Sequence, residues 1–348
     1  MSRTRAAGSP LVSIVIVNFD SKDYLLNCVS SVMHSAYPNK ELIIVDNASH
    51  DDSVKKTFAV FPNVKVVHNR VNMGYAAGCN IGIASAKGDF IAIMNPDTIV
   101  ESHWLERLVN AAYRYPHGAF FQPKILLMDD ERILNSAGNM IHIAGFGVCR
   151  GLGALDTNEF QTESPVCYAS GACTLVRREA LRAIGPMEEL FFAYGEDKDW
   201  GWRASMLGWK SMYIPSSRIL HKWSSTLGQT PRKFYLLEYE RLLSICKNYS
   251  RRTLVLLLPV FLMVECWVLF YAAVENWLGE KFQSYVDLLR ARNVVYQKRQ
   301  RVQSTRTVCD RAVIASFVAS IEHPYLGPAT KVLNRLASHL QALVVNSI

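Results

Sequence analysis

Asp97 follows a five-residue apolar run, Phe90 to Met94, and only Asn95 and Pro96 separate it from that run. A run of that length and composition suits a strand buried on both faces. A carboxylate where such a strand ends stands where open α/β sheets bind ligands, and it has the chemistry to hold a divalent cation against a diphosphate. Strand-ending turn chemistry by Asn, Pro and Asp accounts for the same residues. Asp46 repeats the pattern after Glu41 to Val45: its carboxylate can accept from a nucleobase N–H or a ribose hydroxyl, or serve as a helix cap. A third acidic group is Glu196-Asp197-Lys198-Asp199. Acids at a helix start are favoured by the macrodipole, which alone explains all three. Phe191, Phe192, Tyr194, Trp200 and Trp202 crowd this stretch, however, and a low-dielectric wall is what turns a carboxylate into a general base. His221 is the isolated imidazole near the end of the next apolar run; a lone histidine is more often structural than a ligand.

Positioning these groups requires strands that alternate with helices. Strands are expected over Leu11 to Phe19, Glu41 to Val45, Val64 to His68 and Phe90 to Met94. Helices are expected between them, over about Lys22 to Ser35 with Asp20 or Ser21 as cap, Asp51 to Val60, and Tyr75 to Ala86. That spacing implies βαβ units, right-handed crossovers and a largely parallel sheet. The third helix follows Asn72-Met73-Gly74-Tyr75 and carries Gly78, Asn80 and Gly82, which allow close backbone approach without forming a Walker loop. Further on, a helix is expected from Trp104 to Tyr115, and strands over Ala119 to Leu127, Val166 to Val176 and Trp209 to Ile214. The small residues Ala169-Ser170-Gly171-Ala172 suggest that something presses on the middle strand, or that it bulges. Asp129 to Phe160, interrupted by five glycines, reads as a mobile insertion near the site.

The chain has 348 residues, enough for one large domain or two modest ones, and a formal charge of +8, which points to anionic partners. With no basic run interleaved with aromatics and no zinc-finger spacing, nucleic acid is not an expected partner. Eight scattered cysteines without a Cys-x-x-Cys pair read as reduced, mostly buried residues of a cytosolic protein. Met1 to Pro10 lacks a signal-peptide core and reads as a loose leader.

Five segments in order resemble the signatures of the family 2 inverting glycosyltransferases, especially rhamnosyltransferase-like members. They are Val15-Ile16-Val17-Asn18-Phe19, Val45-Asp46-Asn47-Ala48-Ser49, Asn72-Met73-Gly74-Tyr75 with Gly78 and Asn80, Asn95-Pro96-Asp97, and Glu196-Asp197-Lys198-Asp199-Trp200. The match covers about Leu11 to Ser225. The resemblance implies an α/β nucleotide-diphosphate-sugar transferase fold with a Rossmann-like N-terminal half. A catalytic domain is expected over residues 11–228, and the rest of the chain, 229–348, is expected to be a mainly helical, membrane-associating region. Donor-binding roles would fall to Asn18, Asp46, Asn72, Gly74, Asn80 and Asn95, with Asp46 at the base and Asn95 at the ribose, where many members have Asp. Asp97 would hold Mg²⁺ or Mn²⁺, with His221 as a further ligand. Asp197 would be the general base, with Glu196 as its rival. Two other readings stay open: a nucleotidyltransferase, which usually carries a Gly-rich basic loop where this chain has Asn18-Phe19-Asp20-Ser21, and a non-catalytic sugar-binding scaffold.

Beyond an amphipathic helix expected over Pro231 to Tyr249, the segment Thr253 to Val274 is long enough to span a bilayer but holds Pro259 and Glu265. Arg251 and Arg252 precede it, and Lys281, Arg290 and Arg292 follow. Basic residues on both sides suit a segment that dips into or lies along the cytoplasmic face of the cell membrane, serving an acceptor glycan carried on polyprenyl phosphate. A helix buried against the catalytic domain is the alternative. Val308 to Ile348 is expected to be helical.

Overall fold

All seven residues of Val12–Asn18 (β1) are buried, and this strand is the axis of a ten-stranded sheet. Asp23–Met33 (α1), Lys40–Asp46 (β2), Ser53–Val60 (α2), Lys65–His68 (β3), Tyr75–Ser85 (α3) and Phe90–Met94 (β4) follow it in the expected alternation. β1 pairs in parallel with β2 on one side and β4 on the other, and β2 pairs with β3. Between β1 and β4 the direction of growth of the sheet reverses, and crevices beyond such a reversal are where α/β sheets bind ligands. The structure is a computed structural model that describes residues 9–223, 230–320, 338, 341 and 342.

The period of two in β1 divides the core. Val12, Ile14 and Ile16 join Leu25, Val29 and Leu108 on one face, whereas Val15 and Val17 join Ala76 and Cys79 on the other. α3 is rich in small residues because it lies hard against β1: a Cβ on Gly82 would stand 2.2 Å from Val15 Cγ1, and one on Gly78 2.7 Å from Val17 Cγ1.

Thr98–Val100 (β5), Trp104–Arg114 (α4), Gly118–Leu127 (β6), Asp130–Ser136 (β7), Asn139–Ile141 (β8), Gly147–Cys149 (β9), Ser164–Val166 (β10), Cys173–Arg177 (β11), Arg178–Ile184 (α5), Glu196–Met206 (α6) and Lys210–His221 (β12) complete the sheet part. β11 inserts antiparallel between β4 and β6, β12 runs parallel to β6, and β10 runs antiparallel at the edge, so only the first four strands form a purely parallel set. The mobile insertion expected over Asp129 to Phe160 is instead paired: β7 lies on β6, and β8 on β9. Its glycines serve tight turns, with Gly138, Gly145, Gly151 and Gly153 all at positive φ. The strand expected from Val166 to Val176 is interrupted, and residues 167–172 form a connecting segment between β10 and β11. Nor do Asp20 and Ser21 cap α1. Lys22 occupies the cap position at φ 54, while Asp20 Oδ1 accepts from His50 N at 2.6 Å and the Ser21 hydroxyl donates to Asn18 Oδ1.

Pro231–Asn248 (α7) starts on the Thr230 hydroxyl, which accepts from Lys233 N at 3.2 Å. Then come Arg251–Leu256 (α8), Leu258–Val274 (α9), Leu278–Arg290 (α10), Arg292–Thr305 (α11) and the short Asp310–Ile314 (α12). Most of the expected C-terminal helix lies outside the described residues. One core unites this region with the sheet part, because Ile141, Tyr168 and Trp202 pack with Tyr249, Val260, Val264 and Phe317. The apolar segment is broken next to Pro259, and no helix among the described residues is long and apolar enough to cross a membrane. Glu265 is mostly covered by protein: Arg241 Nη2 is 2.8 Å from its Oε2, and the Tyr285 hydroxyl, at 2.5 Å, and Lys281 both meet its Oε1.

Candidate active site

Asp97 and His221 come from segments far apart in sequence and meet because β5 and β12 are paired, with His221 opposite Thr98 and Lys222 N donating to Asp97 O at 3.0 Å. His221 Nε2 lies 3.4 Å from Asp97 Oδ1, and both residues are 8% exposed. On the far side of the ring, Nδ1 is 2.7 Å from Asn135 Oδ1, an acceptor from β7, so Nδ1 carries the proton. Nε2 then turns its lone pair toward the Asp97 carboxylate, with Asn95 Nδ2 at 3.5 Å. An imidazole nitrogen and a carboxylate facing each other in this way are a donor set for a cation, and the Asn135 contact is the outer-shell bond that orients a ligating histidine. Among the described residues no group of three or more His, Cys, Asp or Glu side chains gathers to hold a metal alone. A groove of about 360 Å³ opens beside Asp97 and Thr98, lined also by Tyr24, Asn27 and Met128.

The second centre is the first turn of α6, entered through two left-handed residues, Tyr194 at φ 68 and Gly195 at φ 76. Positive φ at an aromatic residue is strained backbone, which concentrates at functional sites. Glu196 is 4% exposed and its Oε2 has no hydrogen-bond partner among the described residues, whereas Asp197 is partly exposed. Asp197 Oδ2 accepts from Gly171 N at 2.8 Å and Oδ1 from Lys198 N at 2.7 Å. Burial raises both carboxyls, but for Asp197 the two amide donors and the Lys198 ammonium oppose it. For Glu196, the Asp197 and Glu240 carboxylates add to burial and push it well above the ordinary range. The charged form of Glu196 is thus disfavoured from every side, while the rise of Asp197 is restrained by hydrogen bonds and by Lys198. The small residues 169–172 are explained here: Gly171 N holds Asp197, Gly171 O accepts from the Tyr75 hydroxyl at 2.6 Å, and Ala172 O accepts from Asn95 N at 3.0 Å. The segment therefore bridges the two centres. Tyr194 also feels both: burial raises its phenol, and the charges of Glu196 and Asp97 add to that.

Asp46, at the end of β2, is 8% exposed and oriented by Ser49 N at 3.2 Å and His68 Nδ1 at 3.1 Å. The other residues expected to bind the donor bind the protein. Asn18 is fully buried and its Nδ2 donates to Ser49 and Ser53, each at 2.9 Å. Asn72 Oδ1 accepts from Asn47 Nδ2 and Gly74 N, each at 2.9 Å. Asn80 ties α3 to the segment before α6, donating to Met187 O at 3.0 Å and Glu189 Oε1 at 2.8 Å. Gly74, at φ 84, lies against Phe192, whose carbonyl oxygen would be 2.4 Å from a Cβ placed there. These four hold together the loops and the helix around the crevice.

The family model for glycosyl transferase family 2 matches residues 13–185, from β1 to the end of α5. The chain belongs to the family 2 glycosyltransferases. Similar relatives include the N-acetylglucosaminyl-diphospho-decaprenol L-rhamnosyltransferase of Mycobacterium tuberculosis, 28% identical over 244 residues that cover 64% of this chain and 79% of that one. The O-antigen biosynthesis protein RfbC of Myxococcus xanthus is 27% identical over 67% of this chain but only 19% of its own length. Among solved structures, the mannosyltransferase PcManGT of Pyrobaculum calidifontis, in complex with GDP-Man and Mn²⁺, covers 97% of this chain and 86% of its own at a TM-score of 0.50 and 13% identity. GalNAc-T7 with UDP, GalNAc and Mn²⁺ covers 70% of this chain and 49% of its own at a TM-score of 0.58 and 16% identity. These likenesses show the nucleotide-sugar transferase fold. In this family 2 glycosyltransferase the sequence left three residues of the site unnoticed. Asn47, 2% exposed, is the hub that accepts from Met73 N and Asn69 Nδ2 and donates to Gly74 O, each at 3.0 Å. Asn135 orients His221, and Glu240 approaches the acidic turn from α7. Asn47 stands beside Asp46 in a quoted signature; the other two had no local signal.

Proposed function

We propose that this chain moves a sugar from a nucleotide-diphosphate donor to a hydroxyl of a glycan acceptor, with inversion at the anomeric carbon and with the help of Mg²⁺ or Mn²⁺. The observation that carries the reading is the difference between the adjacent acids: Glu196 is buried and its carboxyl pushed well up, whereas Asp197 is partly open and has both oxygens on backbone amides that oppose the effect of burial. That makes Asp197 the base. Its carboxylate takes the acceptor hydroxyl proton as the oxygen bonds to the anomeric carbon and the bond from that carbon to the diphosphate breaks, releasing a nucleoside diphosphate. Asp46 accepts from the base, and Asn95 lies at the ribose side of the crevice. Asp97 and His221 would hold the metal where the donor's diphosphate is expected to lie. Once bound, it supplies electrostatic stabilisation of the charge growing on the leaving diphosphate. Solved relatives of the same fold carry Mn²⁺ beside a nucleotide or nucleotide sugar, which supports this assignment. The test is a screen of uridine, guanosine and deoxythymidine diphosphate sugars by thermal shift and by product release, with and without Mn²⁺. One nucleotide class is expected to raise the melting temperature only with metal present and to support turnover; stabilisation by none would overturn the reading.

The acceptor is proposed to be a glycan on a polyprenyl phosphate, used at the cytoplasmic face of the cell membrane. A relative acts on a decaprenol-linked substrate by its name, and α9 offers a membrane-facing surface. Val260, Val264, Val268 and Ala272 pack inward, while Leu258, Leu262, Cys266, Phe270 and Val274 form an exposed stripe on the opposite side. Arg251, Arg252, Arg290 and Arg292 are exposed at the ends of neighbouring helices. Such a helix lies in the interface with its apolar side in the acyl boundary, and each basic residue near an anionic surface adds about 1 kcal/mol. The protein is expected to sediment with anionic liposomes at low salt, and Leu262→Glu with Phe270→Glu to release it without lowering thermal stability. A native protein that stays in the supernatant, or self-associates through the stripe and ignores lipid, sinks the membrane role.

A further inference from the structure

The acidic turn of α6 is gripped from outside the segment that the family model matches. Glu240 Oε2 on α7 lies 2.5 Å from Lys198 Nζ, and the two side chains are almost fully buried. The same carboxylate presses on the backbone before the helix, where a Cβ on Gly195 would stand 2.3 Å from Glu240 Oε2. Lys198 also donates to Gly145 O, in the turn between β8 and β9. One residue on, Asp199 Oδ1 receives Lys247 Nζ at 2.8 Å and Asn248 Nδ2 at 2.9 Å, both from the C-terminal end of α7. Alternate residues of the turn therefore divide: Asp197 faces the crevice, and Lys198 and Asp199 face α7.

We propose that Glu240 and Lys198 are a positioning pair for the transfer reaction, through which the C-terminal helix fixes the first turn of α6 and sets the charge that Asp197 feels. The inference rests on Asp197 as the base. Other ionisable groups within its electrostatic reach are Tyr75 and Cys79 on α3, Cys149 on β9, Tyr168 before β11, and Glu196 beside it. Burial pushes Cys149 up to about 12 and Tyr75, Cys79 and Tyr168 well above their ordinary values, so all four stay neutral across the working pH range. Burial and the neighbouring carboxylates push Glu196 well up too. Among the described residues what remains is one cation, Lys198, and one carboxyl, Glu240, which burial lifts to about 7 against the pull of Lys198. Lys198 favours the Asp197 anion; Glu240 keeps that ammonium turned inward.

The test is the acidic limb of the pH profile for kcat, where Asp197 must lose its proton. Lys198→Met removes the cation and is expected to move the limb to higher pH by about half a unit or more. Glu240→Gln replaces a carboxyl that burial already lifts to about 7, so it is expected to leave the limb nearly in place and to lower kcat on the plateau, where the ion pair that grips the turn is lost. Lys198→Arg keeps the charge and the native limb. In the double variant, which avoids leaving one buried ion unpaired, the limb should lie above the native one and beside that of Lys198→Met, because the cation is the charge lost. If one variant fails to fold, those that fold decide, since each has its own required outcome. A limb unmoved or moved down in Lys198→Met, a double variant at or below the native limb, or a native kcat in Glu240→Gln would overturn the pair. Those outcomes are distinct from a failure of the base reading, in which Asp197→Asn itself retains transfer.

Discussion

Asp197→Asn is expected to leave donor binding nearly intact while transfer to acceptor falls by about 10²–10⁴-fold, the usual contribution of a positioned general base. The carboxamide keeps the shape of the side chain, and its single oxygen can still accept from Gly171 N or Lys198 N. It cannot take a proton from an approaching hydroxyl. Because Asp197 lies across the residue 169–172 segment from Asn95 and Asp97, the donor and its diphosphate should bind as before, seen as an unchanged Kd for nucleotide and metal by calorimetry. Glu196→Gln should be far milder, since burial and the Asp197 and Glu240 carboxylates disfavour the charged form of Glu196, and a glutamine resembles the neutral carboxyl. The two variants together decide the assignment: an inactive Glu196→Gln beside an active Asp197→Asn would mean that the buried acid is the base.

What could be seen in the sequence was local. The run Phe90 to Met94 ending in Asn95-Pro96-Asp97 carries both its burial and its abrupt polar end within a few residues, and β4 closes where that pattern says. The same holds for Asp46 after β2 and for the acids that open α6. Asparagines were harder. Asn18, Asn72 and Asn80 stand in the quoted signatures, yet each holds loops together, because a side chain with donor and acceptor can serve backbone as well as ligand and spacing does not reveal which. The glycines of the 129–160 stretch suggested mobility, but positive φ at four of them is what short paired strands need to turn tightly.

Contacts between distant segments were not legible at all. Nothing near Asn135 marks it as the partner of His221, because that contact depends on β7 and β12 both lying on β6. Glu265 looked like a costly charge in an apolar segment; its partners, Arg241 and Lys281, looked like parts of an amphipathic helix and a basic flank. Hydropathy counts such residues separately, whereas folding neutralises them against one another, and breaking a buried pair leaves an uncompensated charge. The apolar stripe that stays exposed on α9 became visible only when the inward one, Val260 to Ala272, was assigned to the core.

Asp97→Ala is expected to remove metal-dependent turnover altogether, a loss of about three orders of magnitude or more, because a bound cation contributes several kcal/mol of charge stabilisation at a leaving diphosphate. The argument turns on how few ligands the protein offers. Asp97 and His221 are 3.4 Å apart at their nearest atoms, and no cluster of three or more such side chains occurs among the described residues, so substrate oxygens must complete the coordination. Metal and nucleotide diphosphate should then bind cooperatively: Mn²⁺ alone weakly, Mn²⁺ with the nucleotide tightly, as followed by the loss of the free Mn²⁺ magnetic resonance signal. Asp97→Ala should abolish that cooperativity even where no sugar is transferred. Asn135→Ala keeps both ligands but frees the His221 ring to turn, and it should weaken metal affinity by about 10–100-fold, the usual cost of losing an outer-shell orienting bond. His221→Ala should fall between the two. Full transfer in excess chelator, or native Mn²⁺ and nucleotide binding in Asp97→Ala, would show that Asp97 ends a strand and holds nothing.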